Sequence, residues 1–416
     1  MSGIYLHIPF CNSKCIYCGF YSVVGQKYKE AFIPALKREI FGRRDFFTRN
    51  LSEGNFSSHD EKLHTLYIGG GTPSVLDISL LKEAVGCIKD TFSFPLEAFS
   101  SAVSPDIFEF TVEVNPDDVT PEYAHELMNL GVNRVSMGVQ SFEDKHLSWM
   151  RRRHTSEQAV EAFRILRDAG FNNISLDLIF GYASLTDDEW MHNLEKTVSL
   201  SPEHISAYQM MLDEGTPLER LEEKRSYMPP EEEICAAQYA MLQSVLKDAG
   251  YIQYEVSNFA AKKVMDGKET LLYSRHNSNY WNRTPYLGLG PGAHSFDGKN
   301  REWNLPDVAE YCSSDICDFR EGEILSETDE FNETVMLGLR RTEGVEFSGL
   351  NPNLLNKISD VINRLVEDGS LEMVYEESDD DVQVASAVAK GIKIPPEKLF
   401  VSDGIIRELF ILNFII

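Results

Sequence analysis

"YLHIPFCNSKCIYCGFYS", residues 5–22, decides the reading of this chain. An apolar run of strand length leads straight into Cys11, Cys15 and Cys18, and no further cysteine follows until Cys87. Thiolates bind soft metals and iron–sulfur clusters. Three are one short of a closed four-ligand zinc site and cannot all pair as disulfides. The alternatives are three unrelated thiols, a structural zinc completed by a ligand such as His7, or a [4Fe–4S] cluster with one iron left open for a substrate.

The rest of the chain bounds the choice. Its 416 residues are 43% hydrophobic and 25% charged, enough for a large core and for two or three domains, or for one α/β barrel with an appendage. A net charge of −27 repels nucleic acid and anionic membrane surfaces as bulk partners. Seven cysteines are too few and too clustered for a secreted disulfide scaffold. The first strand starts by residue 3, so no cleaved leader is expected, and no uncharged apolar run approaches the roughly 20 residues of a spanning helix. A reducing cytoplasm is the expected setting. Peripheral membrane contact is left open.

Six apolar runs read as buried strands: "GIYLHIPF", "TLYIGGG", "FTVEVNP", "RVSMGVQSF", "ISLDLIFG" and "HISAYQMM". Amphipathic stretches lie between them. "SEQAVEAFRILRDAG" places Ala159, Ala162, Phe163, Leu166 and Ala169 at helical spacing, with Gly170 as a C-cap. Alternating β and α predicts a parallel sheet, and six units favour a partial (β/α)6 barrel. Residues 44–62 and 93–107 read as loops. The expected division is a barrel over 1–215, a barrel extension over 216–325 and a small C-terminal α+β, winged-helix-like domain over 326–416. Within these, "YIQYEVSNFA" reads as one strand, a single helix is expected near 352–368, and "LFILNFII" reads as packed core.

Chemistry-bearing residues fall at the strand ends. "GGGTPS" closes the second strand, and its glycines allow backbone to approach a ligand closely. Glu113 ends the third strand, Gln140 the fourth, and Asp177 lies within the fifth. Polar residues at the C-terminal ends of successive barrel strands converge on one mouth.

The C-x3-C-x2-C spacing after a strand resembles that of the radical S-adenosylmethionine enzymes. The ordered set "YLHIPFC", "GGGTPS", "EVNP", "GVQSF", R-x-H and "DLIFG" resembles the oxygen-independent coproporphyrinogen III oxidase group. That resemblance implies one [4Fe–4S] cluster per chain on Cys11, Cys15 and Cys18. It implies S-adenosylmethionine on the open iron, lined by Tyr5, Tyr17, Gly70, Gly71, Thr72, Glu113, Gln140, Arg152 and Asp177. The oxidases of that group carry a fourth cysteine two residues after the third; here that position is Phe20. The departure points to the sister branch of heme chaperones, the HemW branch. "RHNSNYWNR", with His276, Asn277, Tyr280 and Trp281, is similar to a motif of that branch connected with heme binding, which implies His276 as an axial ligand. Heme, heme-acceptor proteins and an electron donor are the partners so implied, and oligomeric state is left open. The alternative function is oxidative decarboxylation of coproporphyrinogen III. A second departure is "GYASLT" (181–186), where the group usually has a Gly-Leu-Pro-Gly-like turn.

Overall fold

The computed structural model describes residues 2–25, 27–48, 62–100, 103–104, 106–265, 268–313, 319–375 and 389–412. All six expected strands form: β1 (Gly3–Ile8), β2 (Thr65–Gly70), β3 (Glu109–Val114), β4 (Arg134–Gln140), β5 (Ile174–Phe180) and β6 (His204–Gln209). Each pairs in parallel with the next. Helices α1 (Lys29–Gly42), α2 (Ile78–Thr91), α3 (Pro121–Leu130), α4 (Asp144–Trp149), α5 (Ser156–Ala169) and α6 (Asp187–Leu200) make the crossovers. Helix boundaries follow local chemistry. Thr155 with Gln158 and Thr186 with Glu189 form capping boxes at the starts of α5 and α6. Gly131 and Gly170 end α3 and α5 with left-handed backbone.

Side chains alternate along the strands. Ile4, Leu6, Leu66, Ile68, Phe110, Val112, Val135, Met137, Leu176 and Leu178 are fully buried and belong to one apolar core. The alternate residues form a polar set: Tyr5 and Tyr67 pack together, Ser136 and Ser175 donate to Asp177, and Ser175 also bonds His204. The strand period of two thus separates an apolar packing layer from a polar interior.

The structure adds strands the sequence concealed. "YIQYEVSNFA" is not one strand but two, β7 (Tyr251–Gln253) and β8 (Asn258–Met265), paired antiparallel, and β8 pairs on with β9 (Lys268–Leu271). A seventh parallel strand, β10 (Tyr286–Leu289), pairs with β1 on the side opposite β2. An antiparallel ribbon continues from it: β11 (His294–Phe296), β12 (Asn300–Asn304) and β13 (Arg320–Ile324). The sheet therefore runs β9-β8-β6-β5-β4-β3-β2-β1-β10-β11-β12-β13, with β7 on β8. It is an open barrel with seven parallel strands and antiparallel flanks. No break in the sheet occurs at residue 215, because β10 of the expected extension is a direct neighbour of β1.

Helices α7 (Pro217–Glu223), α8 (Glu232–Asp248), α9 (Arg275–Trp281) and α10 (Val308–Ser313) lie between β6 and β13 in the chain. Past residue 326, α11 (Glu327–Leu339) precedes β14 (Val345–Glu346), α12 (Pro352–Lys357), α13 (Ser359–Glu367), β15 (Glu372–Tyr375), β16 (Ala389–Lys393) and α14 (Ser402–Glu408). The single helix expected near 352–368 is two. The three strands form a separate sheet of order β14-β16-β15. In the tail Leu409 is fully buried but Leu412 is 68% exposed, so the packed-core reading holds at its start and not at Leu412; residues 413–416, most of the 44–62 loop and Cys317 lie outside the described residues.

Candidate cofactor site

The cysteine loop leaves β1 at its C-terminal end. Val23 N–H donates to the Pro9 carbonyl at 2.8 Å, and Ile16, between Cys15 and Tyr17, exchanges backbone bonds with Met150 (3.3 Å) and Leu218 (2.8 Å). All three thiols are partly exposed and free of disulfides. Among the described residues, no three His, Cys, Asp or Glu side chains converge on a single ion site. That does not oppose a cluster: in a cubane each cysteine holds a different iron, so the sulfurs stand apart around it. Burial pushes the Cys18 thiol up to about 11, so metal binding would have to draw its proton off.

A chain of contacts joins this loop to the neighbouring strand ends. Cys11 Sγ lies 3.5 Å from Thr72 Oγ1. Thr72 accepts from Asn115 Nδ2 at 3.1 Å, and Asn115 Oδ1 accepts from Arg152 at 2.7 Å. Arg152 also donates to the Gly138 carbonyl at 2.6 Å, and its Nη1 lies 3.6 Å from Cys15 Sγ. Its Nε is buried and without a partner. An orphaned guanidinium N–H beside a thiol, at the mouth of a polar barrel, fits an acceptor-bearing anionic group such as an amino-acid carboxylate. Tyr17 is packed against the same group; burial raises its phenol, opposed by the Arg152 charge. Asn115 escaped the sequence reading, although it stands in the quoted "EVNP" two residues after Glu113.

The glycines serve the protein before any ligand. A Cβ on Gly69 would meet the Glu113 carboxylate at 2.7 Å, one on Gly71 the Phe10 carbonyl at 2.6 Å, and one on Gly70 the His7 ring at 2.4 Å. Gly70 also has φ +106°, a left-handed conformation that strongly favours glycine. Gly70 N–H donates to Glu113 at 3.1 Å and Tyr67 OH donates to its other oxygen at 2.8 Å. Glu113 therefore holds the glycine turn in place. Burial, with Asp177 nearby, raises its carboxyl to about 7. Gln140 takes φ +67° where the β4–β5 register shifts, and this bulge turns the strand end toward Arg152. Asp177 sits deeper, held by Ser136 at 3.1 Å; burial raises its carboxyl while Arg134 opposes. Tyr5 bonds His7 at 3.1 Å and packs against Tyr67 and His276, toward the other end.

His276, Asn277, Tyr280 and Trp281 lie on α9 (Arg275–Trp281), at the N-terminal ends of the strands. Thr65, the first residue of β2, bonds His276 Nδ1 at 2.8 Å, and Tyr280 OH bonds Nε2 at 2.9 Å. Glu109, the first residue of β3, accepts the backbone N–H groups of Arg275 and His276. The His276 ring is 2% exposed, and burial lowers it to about 3. With both nitrogens engaged, the ring is not presented as a heme ligand: a porphyrin would have to open the barrel floor to reach it. Asn277 contributes its backbone N–H to the Ser274 cap, and Trp281 is partly buried. The motif closes one end of the barrel while the thiols crown the other.

Comparison with known proteins bears on the family and the fold. The model of the radical SAM superfamily matches residues 5–197. The heme chaperone HemW of Bacillus subtilis (strain 168) is 33% identical over 377 residues, covering 86% of this chain and 92% of that protein. The heme chaperone HemW of Lactococcus lactis is 34% identical over 348 residues, 83% of each. Among solved structures, coproporphyrinogen III oxidase (HemN) from Escherichia coli superposes with a TM-score of 0.74 at 20% identity, covering 98% of this chain and 90% of that one, which is a likeness of fold. A radical SAM barrel, with similarity to HemW sequences along most of the length of both chains, places the protein: it belongs to the heme chaperone HemW family of radical SAM proteins.

Proposed function

We propose that the protein binds heme and delivers it to acceptor proteins, with Cys11, Cys15 and Cys18 holding a [4Fe–4S] cluster. The observation that carries this reading is the family membership, taken with Phe20. The position that bears a fourth thiol in the oxidases is here a phenyl ring 71% exposed. When bound, the cluster supplies an open iron for S-adenosylmethionine and an electron.

The chain's own part is positional. Arg152 offers its unpartnered Nε and is fixed by Asn115 and Gly138; Thr72, Asn115 and Gln140 set the strand ends around it. Gly70 and Gly71, pinned by Glu113 and the loop carbonyls, bring backbone to the rim. Tyr17 shields Cys15 and Cys18 from one side. Asp177 and Tyr5 act from below. Among the described residues no helix is long and apolar enough to cross a membrane, and the proposed setting is the cytoplasm.

The test is anaerobic reconstitution with iron and sulfide, followed by hemin and then S-adenosylmethionine. The expected result is cluster absorbance lost in Cys15→Ala, and a saturable Soret change in the wild type. Zinc without iron, or conversion of coproporphyrinogen to protoporphyrinogen, would overturn the reading in favour of a structural zinc domain or an oxidase respectively.

A further inference from the structure

The "GYASLT" segment, which departs from the turn its group usually has, builds something of its own. Gly181 starts it with φ +72°. Tyr182 then stacks on Trp149 of α4, with ring centroids 5.6 Å apart and planes at 24°. Tyr227 packs on the same indole at 5.6 Å and 32°. Trp149 and Tyr227 form one wall of a pocket of about 220 Å³ lined by Lys145, His146, Trp149, Ala183, Ser184 and Tyr227, and the buried Tyr182 ring backs the indole.

We propose that this pocket receives one edge of the heme macrocycle; the proposal rests on the heme-carrying function above. Three observations support it. First, stacked aromatic walls recognise flat conjugated ligands by offset stacking and dispersion. Second, the wall is built in advance. Tyr182 OH bonds His146 Nδ1 at 2.9 Å, His146 Nε2 bonds the Ser184 carbonyl at 3.2 Å, and the Tyr227 hydroxyl bonds the Ala183 backbone. With its nitrogens so engaged, His146 belongs to the wall and is not an iron ligand. Preorganisation lowers the ordering cost of binding. Third, the size suits a carrier. Sites that enclose a ligand usually run to roughly 300–1,000 Å³. A smaller pocket grips an edge and leaves the remainder of the macrocycle open to an acceptor.

The pocket is one residue removed from a backbone bond to the cysteine loop. Trp149 precedes Met150, whose carbonyl accepts the Ile16 N–H between Cys15 and Tyr17. Heme on the indole wall and a cluster on the thiols would thus share one backbone rung, and loading of one is expected to shift the spectrum of the other.

The experiment is hemin titration of the anaerobically reconstituted full chain, followed at the Soret band. Ala183 is exposed, so Ala183→Trp fills the pocket from a surface loop; Trp149→Leu removes its wall. Both should weaken hemin binding by about tenfold or more, with far-ultraviolet circular dichroism and cluster absorbance retained, whereas His276→Gln titrates as wild type. Wild-type affinity in both pocket variants overturns the proposed site and leaves the heme reading standing. Absence of saturable binding in the wild type overturns the heme reading, and the site with it.

Discussion

The Arg152 guanidinium donates to Asn115 Oδ1 at 2.7 Å while its other terminal nitrogen lies 3.6 Å from Cys15 Sγ. One side chain thus spans the end of the third strand and the cysteine loop. Asn115→Leu removes the acceptor for Arg152 and the donor to Thr72 together. Leaving buried polar groups unpaired costs about 1–3 kcal/mol. The expected outcome is a lower urea midpoint and weaker S-adenosylmethionine binding by calorimetry, with iron content per chain unchanged.

Gly70→Ala is expected to be severe. The new methyl would sit within 2.4–2.9 Å of the His7 ring, on backbone at φ +106°. Left-handed strain adds roughly 1–2 kcal/mol and overpacking about 1–3 kcal/mol more. Equilibrium unfolding should show a loss of about 2 kcal/mol or greater, and Gly86→Ala, which meets nothing within 4 Å, serves as the control.

Phe20→Cys restores the fourth thiol of the oxidase pattern at an exposed position. Stability should move by no more than about 0.5 kcal/mol, as for other surface changes. If the three existing thiols suffice, iron and sulfide per chain stay the same. A thiolate that took the open iron would leave the iron count unchanged and weaken S-adenosylmethionine binding, which calorimetry would show.

His276 titrates at about 3 when folded, against an ordinary value of 6.5, because burial disfavours its charged form. Unfolding therefore takes up a proton below 6.5. The stability due to the neutral ring is fully present above 6.5 and is lost as the pH falls from there toward 3, by up to about 1.4 kcal/mol per pH unit. His276→Gln cannot charge, so its urea midpoint should fall less between pH 6.5 and pH 4.5 than that of the wild type.

How much of this was legible follows from what each strand packs against. β1 to β6 could be read because apolar residues recur at every second position, where they form the core layer. β10 could not: it is four residues long, within "YLGLGPG", and becomes a strand through its pairing with β1. The ribbon β11–β13 hides for the same reason, with "NREWN" and "REGEI" carrying little apolar pattern. The thiols and the glycine turn were visible because their spacing is local. Asn115 was not, since its importance lies in joining Thr72 to Arg152 across two strand ends. The pocket at Trp149 needed three segments to meet. His276 is the converse case: a residue type suited to iron, in a motif with aromatics, has its ring nitrogens bonded to Thr65 and Tyr280 at the end of the barrel away from the thiols, which no local spacing discloses.

The position of β1 has a consequence for biogenesis. Gly3 pairs with Thr65 on one side and with Tyr286 on the other. The strand that launches the cysteine loop is synthesised before the other strands of this sheet, yet it remains a sheet edge until β10 has been synthesised, and exposed edges invite mispairing. Closing so long a stretch of chain is also entropically slow. Metal loading is therefore expected to follow translation of most of the polypeptide, and a chain ending before Tyr286 should aggregate through β1 rather than persist as a smaller cluster-binding domain.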